Sequence, residues 1–243
     1  MYIPKEYEVT DFSQQLGLIK SYPLGILFNF STQSNGFLGF MKGSSSETRP
    51  DTSMCATHLP FVFVEGTDGK HKLIAHLAAQ NQHVDLLENN PQCMVVFQST
   101  DSYVSPSWYP LKKKTQKYVP TWDFGAVHVY GKAKIIRNDK EWLLKMLNEL
   151  SDQEEGKRPE GSDYEPKWKV SDAPEKYLDA MMEGIVGIEI DIGSIESKFK
   201  LHQSEVPVNV NGVLENYSKE VGGEKGSTMA EMTKTHYPKD LSK

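Results

Sequence analysis

Tyr103 to Pro110 reads YVSPSWYP, and Val119 to Gly131 reads VPTWDFGAVHVYG. The first stretch puts three aromatics, two serines and two prolines into eight residues. A packed core favours aliphatic side chains, and a solvated loop favours Gly, Asn and Lys. Stiff, flat and hydroxylated residues between two strands read instead as a surface that receives something flat.

Strands and helices flank this stretch on both sides. Upstream, TDFSQQLGLIKSYP carries Phe12, Leu16 and Ile19 at helical spacing, with Asp11 placed to cap the helix. LGILFNF, ATHLPFVFVE and HKLIAHLA read as strands, the last two joined through a turn at Asp68-Gly69. Residues 31–53 read as a long Ser-, Thr- and Gly-rich loop. NQHVDLLENNP reads as a short helix capped by Asn81, and QCMVVFQS as the strand before the aromatic loop. Downstream, AVHVYGKAKIIR is a long strand, and NDKEWLLKMLNELSDQ is an amphipathic helix with Trp142, Leu143, Met146, Leu147 and Leu150 on one face. A second helix, DAPEKYLDAMMEG, leads into the strand IVGIEIDIG. Strands with short turns and helices at their edges predict a mainly β, α+β fold, an antiparallel barrel with peripheral helices. One domain is expected over residues 1–217. The polar stretch 218–243 is expected to be a disordered tail, for want of large apolar residues.

Composition sets the outer bounds. The chain has 243 residues, 38% hydrophobic and 25% charged, with a net charge of −6. That charge argues against binding nucleic acid through bulk electrostatics, and no recognition helix stands out, so direct DNA binding is not expected. No apolar run is long enough to span a membrane, and no leader pattern opens the chain. The reading is a chain of the cytoplasm or nucleus that does not enter a membrane. Cys55 and Cys93 sit beside apolar runs and read as free thiols in strands. The histidines are scattered, without the clustering of a metal site, and no metal is expected. Dinucleotide, P-loop and nucleophile-elbow spacings are lacking. One anion opportunity remains, the start of the helix after Asn81, whose plainer reading is an ordinary capped helix.

The motifs in order, MYIP, ATHLPF at 56–61, HLAAQN at 76–81, VVFQS at 95–99, YVSPSWYP, VPTWDFGAVHVYG, IVGIEIDI at 185–192 and KFKLHQ at 198–203, resemble the PaiB family of FMN-binding negative transcriptional regulators. The resemblance covers about residues 1–205. It implies an FMN-binding split β-barrel that works as a homodimer with FMN at the subunit interface. On that reading Trp108, Tyr109 and Trp122 wall the flavin ring, while Ser105, Ser107 and Thr121 supply hydroxyls. The phosphate falls to His76, the helix start at Asn81, and Lys112. His128 is the candidate for proton handling, and its plainer reading is a histidine hydrogen-bonded inside the barrel. The interface is expected around residues 93–131, since an aromatic surface serves subunit packing as well as a cofactor.

The chain departs from the family pattern at four places. Residues near 36–50 are extra. The usual Thr-Trp-Asn is Thr121-Trp122-Asp123, the usual Lys-Leu-Ser-Gln-Asn is Lys200-Leu201-His202-Gln203-Ser204, and Gln82 stands where Pro often follows the Asn. A carboxylate at 123 facing a phosphate or a reduced flavin would repel it. Three functions therefore compete: a flavin-binding protein with redox activity, a regulator acting through a partner or a metabolite, and a cofactor-free barrel dimer serving as an interaction module.

Overall fold

The computed structural model describes residues 1–30, 54–67 and 69–241. The long loop expected at 31–53, with its extra residues near 36–50, and Asp68 of the expected turn lie outside them. The elements in order are α1 (Phe12–Ser21), β1 (Leu24–Phe30), β2 (Met54–Pro60), β3 (Val62–Val64), β4 (Lys72–Ala78), α2 (Gln82–Asn89) and β5 (Gln92–Val104). A 3-10 turn (Pro106–Trp108), α3 (Lys112–Thr115), β6 (Thr121–Ile136), α4 (Lys140–Glu155), α5 (Glu175–Glu183) and β7 (Ile185–Lys200) follow. The chain closes with α6 (Pro207–Asn216), a π turn (Tyr217–Val221) and α7 (Gly223–His236). Among the described residues, no helix is long and apolar enough to cross a membrane.

Seven strands form one sheet in the order β2-β1-β5-β6-β7-β4-β3. Strands β2 and β3 stand at its two edges, yet only Phe61 separates them in sequence. A sheet whose edges are joined by one residue must curl, and this curl makes the split β-barrel. Phe61 is fully buried, and its amide donates to the Pro23 carbonyl at 2.9 Å.

The expectation of one domain over 1–217 meets a chain whose described residues gather into two compact units. One holds residues 1–22, 97–128 and 196–243; the other holds 23–96 and 129–195. In the second unit, β4 pairs antiparallel with β7 from Lys72↔Asp191 to Ala78↔Ile185. Helix α4 is capped by Asp139, which accepts from the Trp142 amide at 2.9 Å. Its expected apolar face is the one that packs: Leu143 and Met146 are buried with Val62, Ile74 and Met182, and Trp142, Leu147 and Leu150 pack against that cluster. Gly187 of β7 is what lets Trp142 sit down on the sheet, because a Cβ there would fall 2.2 Å from the indole.

In the first unit, α1 is capped by Asp11, which accepts from the Gln14 amide at 3.0 Å. Its inward face is Gln15, Leu18 and Ile19, displaced from the expected Phe12, Leu16 and Ile19. Gln15 is buried because its Nε2 donates to the Val9 carbonyl and to Ser197 Oγ. Strands β5 and β7 run well past their expected ends, and β6 begins at Thr121, ahead of its expected start. The stretch expected as a disordered tail instead holds the π turn and α7. Met229, Ala230 and Thr233 are buried, and Gly226 approaches so closely that a Cβ would lie 2.2 Å from the Tyr217 carbonyl. Average polarity hid a helix whose few small and apolar residues share one face. Tyr237 anchors its end by donating to the Glu205 carbonyl at 2.8 Å.

Candidate functional site

The aromatic loop is pre-set by its own short-range bonds. Ser105 Oγ accepts from the Ser107 amide at 3.2 Å and lies 2.7 Å from the Ser107 hydroxyl, and Pro106 supplies the first residue of the 3-10 turn. This turn aims Trp108 and Tyr109 inward, where both are buried. Trp108 meets Tyr217 edge to face, and its carbonyl lies so near α6 that a Cβ on Gly212 would come within 2.2 Å.

Tyr109 opens a chain of polar contacts. Its hydroxyl lies 2.8 Å from His202 Nε2, and His202 Nδ1 lies 2.6 Å from Asp123 Oδ2. Tyr217 donates its hydroxyl to the same carboxylate oxygen at 2.7 Å. Asp123 is 0% exposed and His202 5%. The network assigns the protons. An ionised carboxylate only accepts, so His202 donates from Nδ1; its Nε2 then has a lone pair, and Tyr109 is the donor to it. Burial, helped by the Asp123 charge, pushes both the Tyr109 and the Tyr217 phenols up, which keeps them protonated donors. A buried carboxylate costs several kcal/mol unless it is paired and hydrogen-bonded. Here two donors meet Oδ2, while Oδ1 is buried with no partner among the described residues.

His202 also holds a backbone conformation rare for a side-chain-bearing residue, φ +68°. Such a residue costs about 1–3 kcal/mol and persists only where its surroundings enforce it. The turn around it does so. The Glu205 amide donates to the His202 carbonyl at 3.0 Å, and Gln203 bridges the Leu201 amide and the Phe199 carbonyl.

This chain of contacts borders a cavity of about 290 Å³, also lined by Tyr7, Tyr118, Lys117 and Lys200. Lys200 Nζ donates to Thr121 Oγ1. Tyr118 lies against Tyr109 with ring centroids 5.0 Å apart.

Side chains alternate along a strand, so Thr121 and Asp123 share one face of β6 and Trp122 takes the other. Trp122 is 52% exposed and meets Tyr103 edge to face, centroids 6.2 Å apart. The expected flavin residues therefore fall into groups. Tyr109 and Thr121 lie on the cavity. Trp122 offers an open aromatic face. Ser105, Ser107 and Lys112 stay at least partly exposed on and after the turn. His128, further along β6, is half-buried, and burial lowers its pKa. His76 and Asn81 belong to the other unit. Burial lowers the pKa of His76 on β4 too. Asn81 caps α2 by accepting from the His83 amide at 2.9 Å, so its side chain is already engaged with its own helix.

The unit containing the aromatic loop has features that fit FMN. Trp122 presents an exposed ring face with Tyr103 set edge to it, Ser105 and Ser107 present hydroxyls, and Lys112 presents a cation for a phosphate. Trp108 Nε1 is buried with no acceptor among the described residues, a donor that an oxygen-rich ligand would satisfy. Trp108 and Tyr109 are packed inside and offer no free ring face. Sequence reasoning marked Asp123 and His202 only as departures from a pattern, and the structure brings them together. It passed over Tyr7, Tyr118, Lys200 and Tyr217; no local signal in the sequence marks them.

Three comparisons bear on identity. The family described as "Putative FMN-binding domain" matches residues 1–194. The chain is 57% identical over 167 residues to an uncharacterised protein of Saccharomyces cerevisiae, covering 69% of this chain and 98% of that one. It is 30% identical over 221 residues to the Bacillus subtilis protein named protease synthase and sporulation protein PAI 2, covering 90% of each. Among solved structures, a conserved hypothetical protein of Mycobacterium tuberculosis shares the fold, with TM-score 0.50 at 14% identity over 82% of this chain and 90% of that one. By its match over residues 1–194, the chain belongs to the FMN-binding domain family, the split-barrel family to which the PaiB resemblance points.

Proposed function

We propose that this protein holds FMN against the Trp122–Tyr103 face of its barrel as a homodimer, and that the bound flavin gives it redox activity. The observation that carries the reading is the exposed aromatic pair beside a pre-set, hydroxyl-bearing turn, in a chain of an FMN-binding family. When bound, the flavin would supply the electron or hydride chemistry. The chain's own residues do the rest. Trp122 and Tyr103 stack and exclude water, Ser105 and Ser107 hydrogen-bond the polyol and the ring edge, and Lys112 meets the phosphate. The prolines at 106, 110 and 120 keep the loop ordered before binding, which lowers the entropic cost of association. A second copy covering the same face would remove Trp122 and Tyr103 from water, both now exposed.

The test is the visible absorption of the purified protein after incubation with FMN and gel filtration, together with its sedimentation. One flavin per protomer on a dimer supports the reading. A dimer that retains no flavin would favour the interaction module, and a colourless monomer would remove both.

A further inference from the structure

The cavity beside the Tyr109–His202–Asp123 chain lies on the face of β6 opposite Trp122, and the flavin reading does not use it. Three features show that it is built. A fully buried carboxylate borders it, a histidine is held at positive φ to reach that carboxylate, and the two bond each other across 79 residues. A buried carboxylate kept only for structure would have both oxygens met, and Asp123 Oδ1 has no partner among the described residues.

The lining also says what would fit. Lys117 and Lys200 are its cations, and Asp123 and Glu205 its carboxylates. Asn209 Nδ2 donates to Glu205 at 2.9 Å and holds that carboxylate. Two charges of each sign favour a ligand of low net charge, a monoanion over a phosphate dianion. Tyr7, Tyr118 and Val119 give the middle of the cavity flat and apolar walls. A volume near 290 Å³ lies at the small end of ligand sites, too small for a dinucleotide. The Tyr109 hydroxyl is the polar group of the relay placed to meet a proton on the ligand.

We propose that this cavity is a second small-molecule site, for a small aromatic monocarboxylate that carries a hydroxyl. Its carboxylate meets Lys200 and Lys117, and its hydroxyl meets Tyr109. In the proton step the ligand O–H bond breaks and its proton goes to Tyr109 Oη, while the Tyr109 proton passes to His202 Nε2. Tyr109 stays neutral throughout. The new imidazolium rests against the Asp123 carboxylate, and the ligand is left as its oxyanion. No electrons leave the system, and the proton returns by the same path. Tyr109 is then the catalytic contact, while His202 and Asp123 act through it and Tyr217 positions the carboxylate. No flavin is needed for this binding.

The test is calorimetric titration of the full-length protein with 4-hydroxybenzoate and with benzoate, together with ultraviolet difference spectra of the bound 4-hydroxybenzoate. Wild type should prefer 4-hydroxybenzoate by about tenfold or more, because a site built to pair a hydroxyl rejects the analogue lacking it. The proton stays inside the complex, so its transfer is read as phenolate absorption of the bound probe. Tyr109→Phe should erase the preference while benzoate still binds, and His202→Gln should erase the phenolate absorption. Lys117→Ala, at the exposed rim, folds independently of the relay and should weaken both probes. Trp122→Ala should leave both unchanged even if it abolishes FMN binding, which separates this site from the flavin reading. Equal affinities for the two probes in wild type, no binding of either at millimolar concentration, or an intact preference in Tyr109→Phe would overturn the proposal.

Discussion

The first residues of β6 face two different environments. Trp122 turns outward, half in water, with one edge contact to Tyr103. Asp123, one residue on, is sealed inside and receives two hydrogen bonds. Strand periodicity alone separates them. The outward face has an open aromatic surface and few partners, as a surface awaiting a ligand or a second subunit does. The inward face bonds mainly its own neighbours, and Asp123 Oδ1 alone is left without a partner among the described residues of that network. Adjacent residues of one motif therefore serve different ends, and a motif match does not by itself put its residues in one site.

The largest expected effect lies on the inward face. Asp123→Ala leaves the His202 Nδ1–H and the Tyr217 hydroxyl buried without an acceptor, and should lower stability by about 3–5 kcal/mol. Urea denaturation measures this. A loss below about 1 kcal/mol would mean that the inward network is not what holds the strand.

Next comes the C-terminal helix, whose neighbour Tyr217 donates to Asp123. Ending the chain after Val221 removes the buried Met229, Ala230 and Tyr237. The truncated protein should lose at least about 2 kcal/mol, from the side-chain burial alone. Thermal melts of the two lengths that coincide would instead restore the view of a dispensable tail.

A third comparison sets His202 beside His83, the other deeply buried histidine. His83 is 0% exposed; its Nδ1 lies 2.8 Å from the Thr57 hydroxyl, and its Nε2 has no partner among the described residues. Burial pushes it down to about 4 from an ordinary 6.5. With the folded value below the unfolded one, the unfolded chain binds the extra proton between those values. The stability contributed is thus present above pH 6.5 and is lost as pH falls toward 4. The loss is at most about 3 kcal/mol. His76, His128 and His236 are lowered by burial and add in the same direction. His83→Gln should flatten the fall in stability across this range, measured by denaturation at several pH values. An unchanged slope would show that other groups carry the acid sensitivity.

The smallest stability effect belongs to the outward face. In the protomer alone, at concentrations too low for association, Trp122→Ala should change stability by no more than about 0.5 kcal/mol in urea denaturation, because there the ring is exposed and makes one edge contact.

Much of the frame was legible from local pattern. β1, β4, α2 and α4 follow from strand-like apolar runs, from the helical spacing of Leu143 and Met146, and from the cap at Asn81. The extensions of β5, β6 and β7 were not, since their Ser-, Thr- and Asp-bearing stretches read as loop. Helix α7 was hidden because Gly226 and Thr233 look like tail residues until a neighbour's carbonyl comes close. The site was legible only in outline. Asp123 and His202 could be flagged as unusual one at a time, but their meeting depends on a fold that closes 79 residues. Tyr217 belongs to the network only through that closure.

The central claim is that flavin binds on the Trp122 face, independently of the relay on the opposite face of β6. FMN titration by flavin fluorescence of wild type, Trp122→Ala and His202→Gln tests it most directly. Losing the indole contact should weaken FMN by about 1–3 kcal/mol, roughly five- to a hundred-fold, while His202→Gln should match wild type. A Trp122→Ala protein that binds FMN as wild type does, or a His202→Gln protein that loses it, would contradict the account.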